Sequence, residues 1–366
     1  MNIEIRLMQE TEYLLVNSVY NNAYGNIRPL DHFEWEFIKG PWGKAIYVIA
    51  VDLDKKEDGI IGTQAGIPII FTDGNGNKIM TAKSEDTFVH PDYRGHKLFD
   101  RMYELLFAEC AKVGIKYIWG FTYARKPFLK LGFQIPFETL QGVYITSPKK
   151  AYNYLSGLNK ENKLSDNLKI WGLCYYNWLN VFIKSSFGKI GKNISEVKLG
   201  ICKNKKSLIN SVLNNSQNLW SIDQTEEYLN WRIRNNPYPN NYLEYYVLGK
   251  DSSDCNADFL FNKRSEGFVY LEEFLFNKSE THERKLLFTK MVMQKIKSEK
   301  GLTICRFWGF DTNKISKDEI SILKSVGFTF IKKGTAFVWK DISSNKNLII
   351  EPNNIILSRL YTQGNR

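Results

Sequence analysis

The most informative stretch of this sequence is DTFVHPDYRGHKLF, residues 86–99. It starts with residues that favour a β-strand, passes through a short loop that holds Arg94 and Gly95, and leads into a helical pattern. Where a strand turns through a tight loop into a helix, several backbone N–H groups and the positive end of the helix point at one spot. Such a spot binds phosphate. Arg94 and Lys97 would add positive charge there.

The residues on both sides of this stretch carry strand and helix patterns. The polar run DGNGN at 73–77 predicts a hairpin turn, followed by a long strand that ends near Val89. A strand at 116–122 and a short helix at about 125–131 are predicted further on. An amphipathic helix over about 96–113 is predicted by apolar residues that recur every three or four positions, namely Phe99, Met102, Leu106, Cys110 and Val113.

The two halves of the chain repeat each other. Trp35 and Pro41 recur 196 positions later as Trp231 and Pro237. The run WGF at 119–121 recurs at 308–310, and KLGF at 130–133 is echoed by KSVGF at 324–328. Matches in the same order at offsets of 189 to 196 predict two tandem copies of one fold. Because Trp35 and Trp231 occur in both copies, we interpret them as packing residues rather than sugar-stacking residues.

Composition narrows the classes of function. The chain has 366 residues, 43% of them hydrophobic and 24% charged, which is ordinary for a globular protein of two domains. The formal net charge is +11, but the lysines are dispersed. A basic surface or an anionic ligand therefore explains the charge better than nucleic-acid or membrane-surface binding.

Cysteine and histidine usage predicts no metal site. The five cysteines form no CxxC pair, and the four histidines lack metal-ligand spacing. Scattered cysteines indicate buried thiols in a reducing compartment. The N-terminal residues lack the pattern of a signal peptide, and no apolar run is long enough for a transmembrane helix. We therefore expect a cytoplasmic protein. The apolar segment 170–183 predicts a helix packed between the two copies, with a membrane-surface helix as the alternative.

Two of these motifs resemble a known family. The run VHPDYRGHKLF at 89–99 resembles the pyrophosphate-loop motif of the GNAT superfamily of N-acetyltransferases, and FLKLGF at 128–133 resembles its C-terminal signature. The resemblance covers residues 2–145. Residues near 218–340 resemble a second, degenerate copy that lacks the loop motif, and the repeated Trp and Pro pairs resemble a bacterial subgroup of tandem GNAT proteins.

The resemblance implies an α+β fold with two tandem GNAT-like domains, each a twisted, mostly antiparallel sheet flanked by helices. The expected bounds are 1–147 for an acyl-CoA-binding catalytic domain, 148–200 for a helical linker, 201–345 for a degenerate domain and 346–366 for a C-terminal tail.

The resemblance also assigns roles to single residues. The backbone N–H of Val89 would polarise the thioester carbonyl as an oxyanion donor. Acetyl-CoA is the implied acyl donor and co-substrate. The residues implied to bind it are Phe88, Val89, Arg94, Gly95, His96, Lys97, Leu98 and Phe99.

Three positions depart from the family pattern. Lys97 stands where the family usually has Gly, and Phe99 where it has Gly or Ala. Phe128 stands where the family often has a Tyr that protonates the leaving thiolate. Either Tyr123 replaces that acid, or the thiolate leaves unassisted, which a thiol pKa near about 8.5 allows.

The acceptor is expected to be an amine, which is protonated at neutral pH and needs a base. Glu85 and Asp86 lie on the strand that leads to Val89, and strand alternation turns them to opposite faces. We favour Glu85 as the base, with His90 as an alternative.

The second copy has a strand-like run at 267–276, but the loop after it has no Arg-Gly pair and carries acidic residues that would repel a pyrophosphate. We therefore expect it to complete the acceptor pocket or stabilise the first copy.

The sequence thus predicts an acetyl-CoA-dependent N-acetyltransferase acting on a small-molecule amine, with an amino sugar as one candidate. The alternative is a non-catalytic acyl-CoA sensor or scaffold. No nucleic-acid or membrane partner is expected, and the oligomeric state is left open.

Overall fold

The computed structural model contains two mixed β-sheets flanked by helices, which confirms the predicted α+β class. No helix in the described part of the chain is long and apolar enough to cross a bilayer. The structure describes residues 2–25, 27–55, 59–157, 164–186, 197–200, 205–213, 218–238, 242–248, 255–331, 334–343 and 350–361.

The strands in chain order are β1 (Ile3–Leu7), β2 (Ile46–Asp52), β3 (Ile60–Asp73), β4 (Lys78–Val89), β5 (Tyr117–Thr122), β6 (Gln134–Glu138), β7 (Leu140–Ile145), β8 (Val197–Leu199), β9 (Trp220–Ile222), β10 (Tyr242–Leu248), β11 (Cys255–Ser265), β12 (Phe268–Phe276), β13 (Ile304–Gly309), β14 (Thr329–Ile331), β15 (Ala336–Asp341) and β16 (Ile355–Ile356). The helices are α1 (Tyr13–Tyr24), α2 (Leu30–Phe37), α3 (Leu98–Lys112), α4 (Arg125–Lys130), α5 (Pro148–Gly157), α6 (Leu164–Ser186), α7 (Lys205–Leu213), α8 (Glu226–Leu229), α9 (His282–Lys300) and α10 (Lys314–Val326).

The elements predicted around the phosphate-loop stretch are confirmed. The DGNGN run forms the turn between β3 and β4, and α3 buries Met102, Leu106 and Cys110 against the first sheet. Four of the five cysteines are buried free thiols, as expected, and Cys202 lies outside the described residues. The apolar spacing along α3 was sufficient to place this helix because its buried face follows the helical period.

Each sheet has a parallel pair of strands near its centre. The first sheet has the order β1-β2-β3-β4-β5-β15-β6, with β9 and β16 added at the far end of β3. The second has the order β14-β7-β13-β12-β11-β10-β8. The parallel pairs are β4 with β5 and β12 with β13, while the other pairs along these two paths are antiparallel. The matching topology supports the predicted repeat.

The two sheets exchange one strand, which the sequence did not reveal. β7 pairs with β13 and β14 of the second sheet, while β15 inserts between β5 and β6 of the first. At the crossing, the amide of Thr139 donates a hydrogen bond of 3.0 Å to the carbonyl of Thr335, a residue 196 positions later. Each sheet therefore needs a strand from both halves of the chain. The domain bounds 1–147 and 201–345 stay a prediction, because neither sheet is formed by one of these segments alone.

The repeated tryptophans form the contact between the copies. The rings of Trp35 and Trp231 stack with centroids 5.1 Å apart. Each indole Nε1–H donates a hydrogen bond of 2.8 Å to the backbone carbonyl of the other tryptophan. This reciprocal pair confirms the packing role over a sugar-stacking role.

The linker forms α5 and α6. α6 packs on β7 and α10 through one face, where Cys174 and Val181 are buried. Its other face exposes large apolar side chains, among them Trp171, Tyr176 and Phe182. The helix predicted over 170–183 is confirmed, but the expectation that it packs between the two copies is wrong for this exposed face.

Candidate active site

The site is a cleft that opens where the parallel strands β4 and β5 separate. Their pairing runs from Thr81 with Tyr117 to Lys83 with Trp119. Beyond these pairs both strands continue as opposite walls of a cleft of about 1460 Å³. Gly120 lies at the narrow end, where an added Cβ would lie 3.2 Å from the Ser84 carbonyl oxygen. The separation of two neighbouring strands gives a ligand access to backbone groups of both walls.

A bulge in β4 shapes one wall. Ala65 of β3 pairs with Glu85, but Thr63 pairs with Phe88, so β4 has one residue too many at Asp86 and Thr87. Asp86 has a φ of 49°, in the left-handed region. Simple alternation along β4 therefore fails at this point.

A buried ion pair holds the bulge. The guanidinium of Arg28, which precedes α2, donates to both carboxylate oxygens of Asp86 at 3.1 and 2.8 Å. The Tyr47 hydroxyl donates to the same carboxylate at 2.9 Å, and Arg28 Nε donates to Asn17 Oδ1 at 2.7 Å. Both charged side chains of the pair are at most 2% exposed. Asp86 is therefore a structural residue of the bulge.

The backbone of Val89 faces the cleft. The amide of His90 donates to the Ile61 carbonyl on β3 at 2.8 Å. Because backbone groups of successive strand residues point to opposite edges, the Val89 amide points away from β3, toward the cleft. The same alternation directs the Phe88 amide toward β3. The oxyanion role of Val89 is compatible with this geometry.

The loop between β4 and α3 has the form expected of a phosphate site. A single 3₁₀ turn at Pro91–Tyr93 leads to Gly95, with a φ of 92°, and Lys97, with a φ of 55°. The helix starts at Leu98, and its first backbone bond runs from the Arg101 amide to the Lys97 carbonyl. The backbone amides of the first turn thus have no carbonyl acceptor within the helix, and they lie at the positive end of the helix dipole.

The residues of this loop divide into anchors and exposed groups. Leu98 is 2% exposed and packs in the core, so it fixes the loop. Phe99 contacts the rings of Tyr103 and Phe128 at centroid distances of 4.8 and 5.4 Å. The exposed residues of the loop are Pro91, Asp92, Arg94, Gly95, His96 and Lys97.

Charge is divided between the walls of the cleft. Five cations line it: Lys55 of the β2–β3 connection, Arg94 and Lys97 of the loop between β4 and α3, and Lys126 and Lys130 of α4. Of the three acidic residues that line it, Glu85 and Asp86 come from the β4 bulge and Asp100 from the first turn of α3. Such an arrangement suits a ligand that is anionic at one end and meets a cationic group at the other.

Comparison with known proteins agrees with this geometry. The family of acetyltransferase (GNAT) domains matches residues 4–135. These residues form a GNAT domain. The reaction class that follows from this family is acyl transfer. The chain has no significant match among curated proteins.

Solved structures share the fold of the whole chain at low sequence identity. A probable N-acyltransferase from Enterococcus faecalis has 11% identity and a TM-score of 0.62, over 93% of this chain and 73% of its own. A GCN5-related N-acetyltransferase from Anabaena variabilis has 9% identity and a TM-score of 0.60, over 93% and 73%. Saccharomyces cerevisiae N-myristoyltransferase has 13% identity and a TM-score of 0.58, over 99% and 85%. These similarities show the fold alone, and they include the second sheet as well as the GNAT domain.

Glu85 of the GNAT domain lines the cleft beside a lysine. Its side chain is 25% exposed, and its carboxylate forms an ion pair with the Nζ of Lys83, which is 8% exposed. Asp86 is enclosed by Arg28 and Tyr47 instead. His90 accepts a bond from the Asp92 amide at 3.3 Å and shapes the turn. Among the predicted bases, Glu85 thus combines access to the cleft with a carboxylate that is not enclosed.

The candidate acids differ in exposure. Tyr123, at the end of β5, lines the cleft and is 76% exposed. Phe128 of α4 is buried against Tyr103 and Phe133, and it has no proton to donate. Tyr24 of α1 also lines the cleft, and its hydroxyl donates to the Thr87 carbonyl at 2.8 Å. The sequence reasoning missed Tyr24, because no motif marks it and only the fold brings α1 to β4.

The second copy contributes to the cleft of the GNAT domain. Val338 of β15 and Thr335, just before this strand, line the cleft. Their place follows from the strand exchange, so sequence patterns near the phosphate loop could not reveal them.

In the second copy, a side chain of the C-terminal segment lies where the corresponding strands separate. β12 and β13 pair from Phe268 with Ile304 to Leu271 with Phe307 and then separate. Arg359, in the C-terminal segment, forms an ion pair with buried Glu272 and lies over the Tyr270 ring at 3.6 Å. That the second copy binds no acyl-CoA stays a prediction. Among the described residues, no group of three or more His, Cys, Asp or Glu side chains is placed to hold a metal ion.

The left-handed Lys97 gives a first prediction. A non-glycine residue in this conformation costs about 1–2 kcal/mol, so Lys97→Gly is expected to raise the free energy of unfolding by about 1 kcal/mol in urea titrations. If the ammonium contacts the phosphates of coenzyme A, Lys97→Gly and Lys97→Asn are both expected to weaken its binding up to about fivefold, a surface ion-pair effect. Asn tolerates this conformation without the charge, so calorimetric affinities of the two variants separate charge from backbone freedom. Tighter binding by both variants would show that Lys97 crowds the phosphates.

Proposed function

We propose that this protein is an acetyl-CoA-dependent N-acetyltransferase that moves the acetyl group to the amine of a small molecule. One observation carries the proposal: the cleft between β4 and β5 has the start of α3 and several cations at one part of its wall and the carboxylate of Glu85 at another. The family match to residues 4–135 supports acyl transfer as the chemistry.

The donor would be held by groups of the loop and of β4. The free amides at the start of α3 would bind the pyrophosphate, and Arg94 and Lys97 would add charge. The cleft edge of β4 at Val89 would pair with the amides of the pantetheine arm as an added strand would. This arrangement would bring the thioester carbonyl to the Val89 amide, which would stabilise the oxyanion.

The acceptor would arrive at the acidic part of the cleft. An alkylammonium group is attracted by Glu85, and it must lose one proton before its nitrogen can attack. Glu85 would take that proton. The nitrogen then forms the new C–N bond, the C–S bond breaks, and the second nitrogen proton balances the thiolate that leaves as coenzyme A.

Assistance to the leaving thiolate would come from Tyr123, just after the end of β5. Its high exposure means that solvent can take over the same role, since a thiolate is a tolerable leaving group at neutral pH. The acceptor class that fits a cleft of mixed charge is a polar small amine, with amino sugars as the first candidates.

The test is a steady-state assay of thiol release from acetyl-CoA with a panel of amino sugars, nucleotide-linked amino sugars, aminoglycosides and amino-acid amines. Amine-dependent thiol release, with a product heavier by one acetyl group, is the expected result. Release from myristoyl-CoA but not from acetyl-CoA would replace the proposed donor by a long-chain one. Absence of affinity for every coenzyme A derivative would contradict the proposal as a whole.

A second candidate is a non-catalytic acyl-CoA sensor, favoured by Phe128, which occupies the family's usual acid position without a hydroxyl. Binding of acetyl-CoA without amine-dependent thiol release would support it.

Glu85→Gln gives the direct test of the base. The variant keeps the shape of the side chain but cannot accept the amine proton, so kcat/KM is expected to fall by about 100-fold at neutral pH. Glu109→Gln is the matched control, because Glu109 also pairs with a lysine, Lys112, but lies on α3 outside the cleft. Equal activity of the two variants would show that Glu85 is not the base.

A further inference from the structure

A second carboxyl group lies behind Glu85, in the interior. Glu36 of α2 is 3% exposed, an uncommon degree of burial for a glutamate. Its Oε2 lies 3.9 Å from Nη1 of Arg28, whose guanidinium is already engaged by Asp86. Nothing in the acyl-transfer steps above uses this group.

Glu36 and Lys83 share a small cavity at the contact between the two copies. The cavity measures about 20 Å³, enough for about one water molecule. Its other walls come from both halves of the chain and include Trp119, Trp231 and Arg232. The second copy therefore closes the surroundings of a carboxyl group that belongs to the first.

Lys83 connects this cavity to the cleft. Its side chain is 8% exposed and lines the cavity with Glu36, while its Nζ pairs with the carboxylate of Glu85. Glu85 in turn lines the cleft. The order Glu36, Lys83, Glu85 thus runs from the interior to the expected acceptor.

The surroundings of Glu36 bring the ionisation of its carboxyl into the neutral pH range. Burial, together with the nearby carboxylates of Glu85 and Asp86, raises the pKa of the Glu36 carboxyl to about 7, although Arg28 and Lys83 act in the opposite direction. Arg232 and Tyr238 also face it from the second copy.

We propose that Glu36 is a positioning residue that acts through Lys83 to make Glu85 available to the acceptor amine. This inference rests on the proposed function. When Glu36 is neutral, Lys83 has one carboxylate partner and holds Glu85 in an ion pair. When Glu36 is ionised, its charge also attracts the ammonium of Lys83 across the shared cavity, which weakens the hold of Lys83 on Glu85 and leaves the Glu85 carboxylate freer to meet the acceptor amine. Glu36 itself touches neither substrate.

The test is the pH profile of kcat/KM for the full chain and for Glu36→Gln. The wild-type value is expected to rise through about pH 7 as Glu36 ionises. In Glu36→Gln this rise disappears because the side chain is neutral at every pH, and at about pH 8, where Glu36 of the wild type is about 90% ionised, the variant is expected to be less active by about tenfold or more. Glu36→Asp is expected to keep a titrating rise. A loss of activity by the same factor at every pH would show a merely structural role and overturn the inference.

A second measurement does not depend on activity. A carboxyl whose folded-state pKa is raised stabilises the fold at a pH below its unfolded value, and this contribution is lost as pH rises through the folded value. The stability of the wild type relative to Glu36→Gln is therefore expected to fall between about pH 5 and pH 8 in urea titrations. An unchanged difference would overturn the buried ionisation on which the inference depends. Absence of thiol release by the wild type, with this titration present, would instead contradict the proposed function.

Discussion

Asp86→Asn is expected to lower the free energy of unfolding by about 3–5 kcal/mol, the cost of removing one partner from a buried ion pair. The substitution leaves the Arg28 guanidinium buried without its carboxylate. Asn tolerates the left-handed backbone of this position, so the change isolates the charge from backbone strain. Urea unfolding of the full chain at neutral pH measures the effect.

The same variant is expected to lose acyl transfer beyond its loss of stability. Arg28 and Asp86 join the segment between α1 and α2 to the bulge of β4, and the bulge precedes the cleft-facing backbone at Val89. Activity assayed well below the unfolding midpoint separates the two effects. Asp166→Asn is the matched control, because Asp166 pairs with Lys169 on the exposed surface of α6 and should change stability by less than about 1 kcal/mol. Equal stability of Asp86→Asn and wild type would show that the bulge does not depend on this ion pair.

Local patterns in the sequence were enough to place the loop between β4 and α3, although its role as a phosphate site stays a prediction. Residues close together in the sequence predict each of its parts: the strand β4, the turn at Arg94 and Gly95, and the apolar face of α3. The left-handed backbone at Lys97 is consistent with the glycine that the family usually has at this position. Each of these features is determined by short-range sterics and by the helical period.

The strand exchange could not be read from the sequence. β7 and β15 have the same place in the repeat, and each carries a strand pattern that either sheet could accept. Which sheet each strand joins is decided by contacts between residues far apart in the chain, such as Thr139 with Thr335. Local propensity holds no information on that choice.

The acidic part of the site shows the same limit. Alternation along β4 suggested that only one of Glu85 and Asp86 faces an acceptor, but the reason is a bulge held by Arg28, 58 residues away. The cavity that joins Glu36 to Lys83 is closed by Trp231 and Arg232 of the second copy. A site assembled from both repeats is visible only after the repeats are folded together.

Trp35→Ala is expected to lower the free energy of unfolding by about 3–5 kcal/mol, the usual cost of emptying a buried tryptophan site. Trp35 is 5% exposed, stacks on Trp231 and exchanges with it two hydrogen bonds of 2.8 Å. The substitution therefore removes the stacking contact and one bond, and leaves the Trp231 indole with an altered partner. Trp231→Ala is expected to have an effect of similar size, since the two residues play equivalent roles at the contact between the copies.

The decisive measurement is the double-mutant cycle of Trp35→Ala and Trp231→Ala in urea unfolding. Because both substitutions remove the same contact, the double variant should lose about 0.5–3 kcal/mol less than the sum of the single losses. Trp171→Ala serves as the control for an indole on the surface, since Trp171 is 49% exposed on α6, and its loss should be clearly smaller. Strictly additive losses would mean that the two tryptophans act in separate cores, and the two copies would then be joined mainly by the exchanged strands.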